Sequence, residues 1–154
     1  MDNNINNILI CKVMKEKYTH KKLEELGEKV IDWCLNEFGL SKHYNDYPYM
    51  EIDMVEDCMC GEFVADNNEI IVCPTAIDTI DEFIETVIHE YTHYMQSPTW
   101  YTRYANRKIE LTAEEFADYL LRGDPTHPYE IEADEVAKKN TKKCKKEVLN
   151  ETTN

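Results

Sequence analysis

Five consecutive residues near the middle of the chain have the pattern of a metal site. His89 and His93 lie four residues apart in His-Glu-Tyr-Thr-His, with Glu90 between them. On an α-helix that spacing separates two side chains by about 6 Å along the axis and about 40° around it, so both imidazoles can reach one ion. Glu90 lies about 100° further round, where it can take a proton from a water in the open metal position. The pattern therefore predicts zinc bound by His89 and His93, with Glu90 as the catalytic base.

A catalytic zinc ion needs a third protein ligand. Gln96 and Thr99 stand where a metzincin would carry glycine and histidine, which excludes that arrangement. Glu130 and Asp134 are four residues apart downstream, so Glu130 can bind the metal while Asp134 accepts the spare N–H of a ligand histidine. Glu132 is the main alternative for the third ligand. The remaining candidates are Asp118, Asp124 and His127.

The combination of His-Glu-x-x-His with a later Glu-x-x-x-Asp, Glu130 to Asp134, resembles the gluzincin metallopeptidases. The shorter pattern Glu130-x-x-Ala133-Asp134 is similar to the Glu-x-x-Ala-Asn of the small ImmA/IrrE-type peptidases, with aspartate in place of asparagine. The resemblance covers only these two segments. It implies a zinc protease of zincin-like fold, with Glu130 as the third ligand and Asp134 as a hydrogen-bond partner of a ligand side chain.

The resemblance also implies a place for the substrate. In zincins the strand before the active-site helix forms a sheet edge that pairs with the substrate backbone, and here that would be residues 69–73. An ordinary hairpin strand is the alternative. The sequence does not decide which residue donates the hydrogen bond that stabilises the oxyanion. The candidates are Tyr101, Arg103, Tyr104, His127 and Tyr129.

The elements that must position these residues are visible in the apolar spacing. Helices are predicted over residues 20–38, from Thr79 to Ser97, from Thr112, and over 128–148; a strand over 50–54 precedes a hairpin of 62–65 and 69–73. Thr79 and Glu82 form a capping box, and Pro98 ends that helix. The chain is thus predicted to be one α+β domain over 1–154, with residues 1–7 and about 145–154 flexible. Its sheet should have about three strands, mainly antiparallel, and the C-terminal helix should carry the third ligand.

The bulk composition limits the partners. A net charge of −14 opposes a nucleic-acid backbone, although six lysines between 138 and 146 are concentrated at a solvated helix end. No apolar stretch approaches the ~18 residues of a membrane span, and no signal peptide is visible, so we expect a cytoplasmic protein with reduced cysteines. Cys58 and Cys60 are weak candidates for an additional metal ligand.

These observations favour a zinc-dependent metallopeptidase acting on a protein or peptide substrate, by water that zinc binds and Glu90 activates. Two imidazoles and one carboxylate suit zinc among the divalent metals. The alternative is a non-catalytic zinc-binding module for protein interaction, in which a fourth protein ligand would close the site. The oligomeric state is not predicted.

Overall fold

The computed structural model describes residues 18–54, 59–100, 113–114 and 128–150, and these form an α+β fold. Only residues 113–114 of the helix predicted to begin at Thr112 lie in the described part, and residues 1–7 lie outside it. The main elements, in chain order, are α1 (His20–Phe38), β1 (Tyr49–Ile52), β2 (Gly61–Val64), β3 (Glu69–Val72), α2 (Ile80–Met95) and α3 (Pro128–Asn150).

The first helix has the bounds that the sequence predicts. The hydroxyl of Thr19 accepts a hydrogen bond from the backbone N–H of Lys22 and so caps the N-terminus. The helix ends at Gly39, whose φ of +80° is a conformation that favours glycine. The apolar stripe of α1 is buried against α2 and β1.

The sheet is mixed, with strand order β1-β3-β2. The predicted hairpin is confirmed: β2 pairs antiparallel with β3 through a short 3₁₀ turn, Ala65–Asn67, after which Asn68 adopts a left-handed conformation with φ of +49°. β1 pairs parallel with β3, so the three-stranded sheet has one antiparallel and one parallel pairing where a mainly antiparallel sheet was predicted. The short turn fixes only the antiparallel pairing of β2 with β3. β2 separates β1 from β3 in the sequence, so no tight turn sets the direction of β1.

The position of β3 also overturns the predicted substrate edge. Residues 69–73 were expected at the border of the sheet, but β3 is its central strand and pairs on both sides. The apolar residues of β3 favour this central position. Ile70 and Val72 are fully buried, and a strand with an apolar run is most stable between two other strands. Of the described strands, β2 is the one that borders the candidate site.

Two helices build the site. α2 begins after Thr79, whose hydroxyl accepts the N–H of Glu82. It ends at Met95 with Gln96 as its C-cap, two residues before the predicted end at Ser97. Its apolar face is buried in the core, with Phe83, Ile84, Val87, Ile88 and Tyr91 fully inaccessible to solvent. One side of the helix is thereby held in place while the other carries the histidines.

α3 packs against α2 through small residues. Ala133 and Ala137 are fully buried, and a small side chain at such a contact lets two helix axes approach closely. The helix continues to Asn150, so residues 145–150, expected to be flexible, are helical, and Val148 is buried. None of the helices in the described ranges is both long and apolar enough to cross a membrane.

Candidate metal centre

Three side chains predicted as ligands meet between α2 and α3. The Nε2 atoms of His89 and His93 are 3.1 Å apart. Each also lies 3.1 Å from a carboxylate oxygen of Glu130, His89 from Oε2 and His93 from Oε1. In the part of the chain that the structure describes, this is the one group of three such side chains close enough to share a metal ion.

The outer nitrogen of His89 determines its tautomer. Nδ1 lies 2.9 Å from Oδ1 of Asp134. A carboxylate only accepts hydrogen bonds, so Nδ1 must carry the proton and donate it. In neutral His89 the inner nitrogen Nε2 therefore holds a free lone pair directed at the cluster, which is the form that binds a metal.

His93 is held in the same way by Gln96, which in the sequence stands only as a departure from the metzincin pattern. The amide nitrogen of Gln96 donates to the backbone carbonyl of Tyr129 at 2.9 Å and to Glu132 at 3.1 Å. Both partners only accept, so the amide oxygen must face His93, whose Nδ1 lies 2.7 Å from it. The Nε2 of neutral His93 is therefore also unprotonated, and it faces the cluster.

This support for His93 had a signal in the sequence. Gln96 is three residues after His93, and residues three apart on a helix are neighbours. The rest of the arrangement comes from α3, since Tyr129 stacks its ring on that of His93 at 3.9 Å between centroids and 15° between planes. No local pattern connects residues so far apart in the chain.

Three electron-pair donors, two imidazole nitrogens and a carboxylate, thus converge with their lone pairs directed at one point. Burial alone would raise the pKa of Glu130, but the two histidines outweigh it when they are protonated, through hydrogen bonds and positive charge, and lower the pKa to about 2. Burial likewise opposes charge on His89, yet Glu130, Glu90 and Asp134 together raise its pKa. The surroundings therefore favour positive charge at this point, and two imidazoles with one carboxylate are a donor set that fits Zn²⁺.

Glu90 lies beside the cluster without joining it. Its carboxylate is 4.0 Å from Nε2 of His89, and only 6% of the residue is exposed. Burial raises its pKa above the ordinary range, while the nearby His93 and His89 and the backbone N–H of Phe63 hold part of that rise back. A carboxylate with a raised pKa is a better proton acceptor at neutral pH, as the role of general base requires.

The other described candidate ligands, Glu132 and Cys60, do not belong to the cluster. The carboxylate of Glu132 accepts a hydrogen bond from Gln96 instead. Cys60 lies near the backbone of Ala76, with its Sγ 3.5 Å from the carbonyl oxygen, and is not part of the cluster. The other candidates for the third ligand lie outside the described residues: Asp118, Asp124 and His127. The same holds for Cys58 and for all the candidate oxyanion donors except Tyr129: Tyr101, Arg103, Tyr104 and His127.

A cleft of about 620 Å³ opens onto the cluster. β2 and the residues on either side of it form one wall, and α2 with the start of α3 forms the other. The close approach of these walls depends on Gly61, where a Cβ atom would lie 2.6 Å from Cγ2 of Thr86 and 3.3 Å from Cγ of Glu90. The candidate base therefore lies between the cluster and the backbone of β2.

Comparisons of the chain with family models, with curated proteins and with solved structures found no match. The case for a function therefore depends on the geometry of the site and on the motif-level resemblance.

Proposed function

We propose that the protein is a zinc-dependent metallopeptidase that hydrolyses peptide bonds in a protein or peptide substrate. The observation that supports this best is the convergence of His89, His93 and Glu130 beside a buried Glu90, at the side of an open cleft. A structural zinc site is closed by four protein ligands, whereas a catalytic one has three and an open position. Three ligands with a cleft before them fit the catalytic kind.

Each residue has a distinct part in the proposed reaction. His89, His93 and Glu130 would hold the ion, and Asp134 and Gln96 keep the two imidazoles in the tautomer that binds it. A zinc ion held there would polarise the peptide carbonyl and lower the pKa of a water molecule. Glu90 takes a proton as water attacks the carbonyl carbon, and it then transfers that proton to the departing amine.

The substrate would pair with β2 rather than with β3. The hydrogen bond from Cys73 N–H to the Cys60 carbonyl, at 2.9 Å, sets the phase of the β2–β3 ladder. Hydrogen-bonded and non-hydrogen-bonded positions alternate along an antiparallel pair, so the backbone groups of Gly61 and Phe63 point away from β3. The Phe63 N–H contacts Glu90 there, which directs this edge toward the reacting groups. An extended peptide can add to such an edge.

Substituting Glu90→Gln tests the reaction, because glutamine keeps the shape of the side chain but cannot accept the proton. Wild-type protein and the variant are each loaded with zinc and incubated with a mixed peptide library, and the products are identified by mass spectrometry. We expect the variant to retain zinc and to lose roughly 10²- to 10⁴-fold of the cleavage rate, the usual contribution of a general base.

Two other results would reject the proposal. If Glu90→Gln cleaves at the rate of the wild type, Glu90 is not the base. If the wild type binds zinc but cleaves nothing in the library, the alternative of a non-catalytic zinc-binding module becomes the better description.

A further inference from the structure

The cleft beside the cluster has an acidic end. Glu62 on β2 and Glu82 and Glu85 on α2 line it, in addition to the acidic residues of the cluster itself. Among the described residues that line the cleft there is no lysine or arginine. A cleft lined by one sign of charge attracts the opposite sign.

Two of these carboxylates differ from other acidic residues of the described fold. Asp81 forms an ion pair with Lys145, and Glu37 forms one with Lys143 at 3.0 Å. Glu62 and Glu85 have no cationic partner among the described residues. Their charge is left to act on whatever enters the cleft.

The acidic end lies on a definite side of the cluster. Glu85 precedes His89 by four residues, which places it about 6 Å toward the N-terminus of α2. Gly61, at the start of β2, approaches Thr86 in the same turn of the helix. The other end is aromatic: Phe63 packs on Tyr94, with ring centroids 5.9 Å apart, and Tyr44 lies against both rings.

The direction of β2 relates these two ends to the direction of a substrate. β2 runs from the acidic end, at Gly61, toward the aromatic end, at Phe63. A peptide added antiparallel, which is the slightly more stable pairing, runs from the aromatic end to the acidic end. The residues on the C-terminal side of the scissile bond would then face Glu62, Glu82 and Glu85.

We infer that the edge of β2 that faces away from β3 and the acidic end of the cleft bind an extended peptide that carries lysine or arginine one or two residues after the scissile bond. This inference rests on the proposed peptidase function. The edge of β2 at Gly61 selects an extended backbone, and the carboxylates of Glu62 and Glu85 select a cationic side chain. An apolar or aromatic residue before the scissile bond suits the Tyr44 and Phe63 end.

The cut sites of the wild-type, zinc-loaded protein in a randomised peptide library test the inference. We expect lysine and arginine to be enriched in the two positions after the cut by roughly 3- to 10-fold over their frequency in the library, the range expected from one or two partly exposed ion pairs. The enrichment should decrease as salt is raised from about 0.05 to 0.5 M, because salt screens exposed charges.

Charge reversal tests which residues cause the preference, and a matched variant serves as its control. The double variant Glu62→Lys with Glu85→Lys should replace the preference for basic residues by one for aspartate and glutamate at the same positions. The matched variant carries Glu51→Lys and Glu28→Lys, which change the net charge equally at exposed sites away from the cleft. Glu51 is a close match for Glu62, because both lie opposite Ile71 on the two sides of β3. The matched variant should keep the wild-type preference.

The outcomes distinguish this inference from the proposed function. Cleavage that depends on Glu90 but shows no basic enrichment after the cut, or keeps it after reversal of Glu62 and Glu85, overturns the inference and leaves the peptidase proposal in place. Basic enrichment before the cut instead of after it also overturns it, since the substrate would run in the other direction. Absence of any cleavage overturns both.

Discussion

At the scale of single residues, the site depends on which nitrogen of each histidine carries its proton. Asp134 and Gln96 both accept from an Nδ1–H, and the free lone pairs of both inner nitrogens are thereby directed at the position that they share with Glu130. Gln96 can do so only because Glu132 and the Tyr129 carbonyl fix the orientation of its amide. Glu132, an alternative ligand at the level of sequence, thus supports a ligand indirectly.

Replacing Gln96 should therefore weaken metal binding although Gln96 does not touch the metal position. We expect Gln96→Leu to lower zinc affinity by roughly 10- to 100-fold, the usual effect of removing a hydrogen-bond partner of a ligand histidine. Competition with a chromogenic chelator measures this. Asn140→Leu removes an amide of α3 that bonds only to the carbonyl of Val136 in the described structure, and it should leave the affinity unchanged. An affinity within twofold of the wild type in Gln96→Leu would show that Gln96 does not hold His93.

At the scale of elements, the site requires β2 to lie almost in contact with α2. Gly61 permits this contact because it has no side chain. The side chain of Thr86, which faces Gly61, is fixed by a hydrogen bond of 2.7 Å from its hydroxyl to the Glu82 carbonyl. A methyl group at position 61 would force β2 outward and with it the Phe63 N–H that contacts Glu90. Placement of Glu90, the proposed base, is therefore a property of the strand as well as of the helix.

The substitution Gly61→Ala tests this packing. Overfilling a close contact costs roughly 1–3 kcal/mol, so we expect the free energy of unfolding to fall by about that amount, as measured in urea. Thr86→Ser removes the Cγ2 atom that an added Cβ would meet but keeps the hydroxyl. The double variant should regain most of the lost stability relative to Thr86→Ser alone. If Gly61→Ala is as stable as the wild type, or if serine gives no relief, the contact does not limit the spacing of β2 and α2.

At the scale of the whole molecule, local patterns predicted the elements and long-range pairing did not follow from them. The bounds of α1 and the hairpin were predictable because caps, turn residues and apolar spacing act over a few positions. The central position of β3 could not be predicted, since the alternation of buried and exposed side chains is the same for a central and an edge strand. The cluster could be anticipated from residue types, whereas the part of Gln96 depends on contacts across α2 and α3.

The central claim is that three side chains from two helices bind one zinc ion, and zinc titration of the metal-free protein tests it most directly. Elemental analysis and chelator competition would be carried out on the wild type, His89→Ala, Glu130→Gln and Glu132→Gln. We predict one zinc per chain in the wild type, severe loss of affinity in His89→Ala and Glu130→Gln, and a much smaller loss in Glu132→Gln. A wild type that binds no zinc, or a Glu130→Gln variant that binds it as tightly as the wild type, would contradict this account of the site.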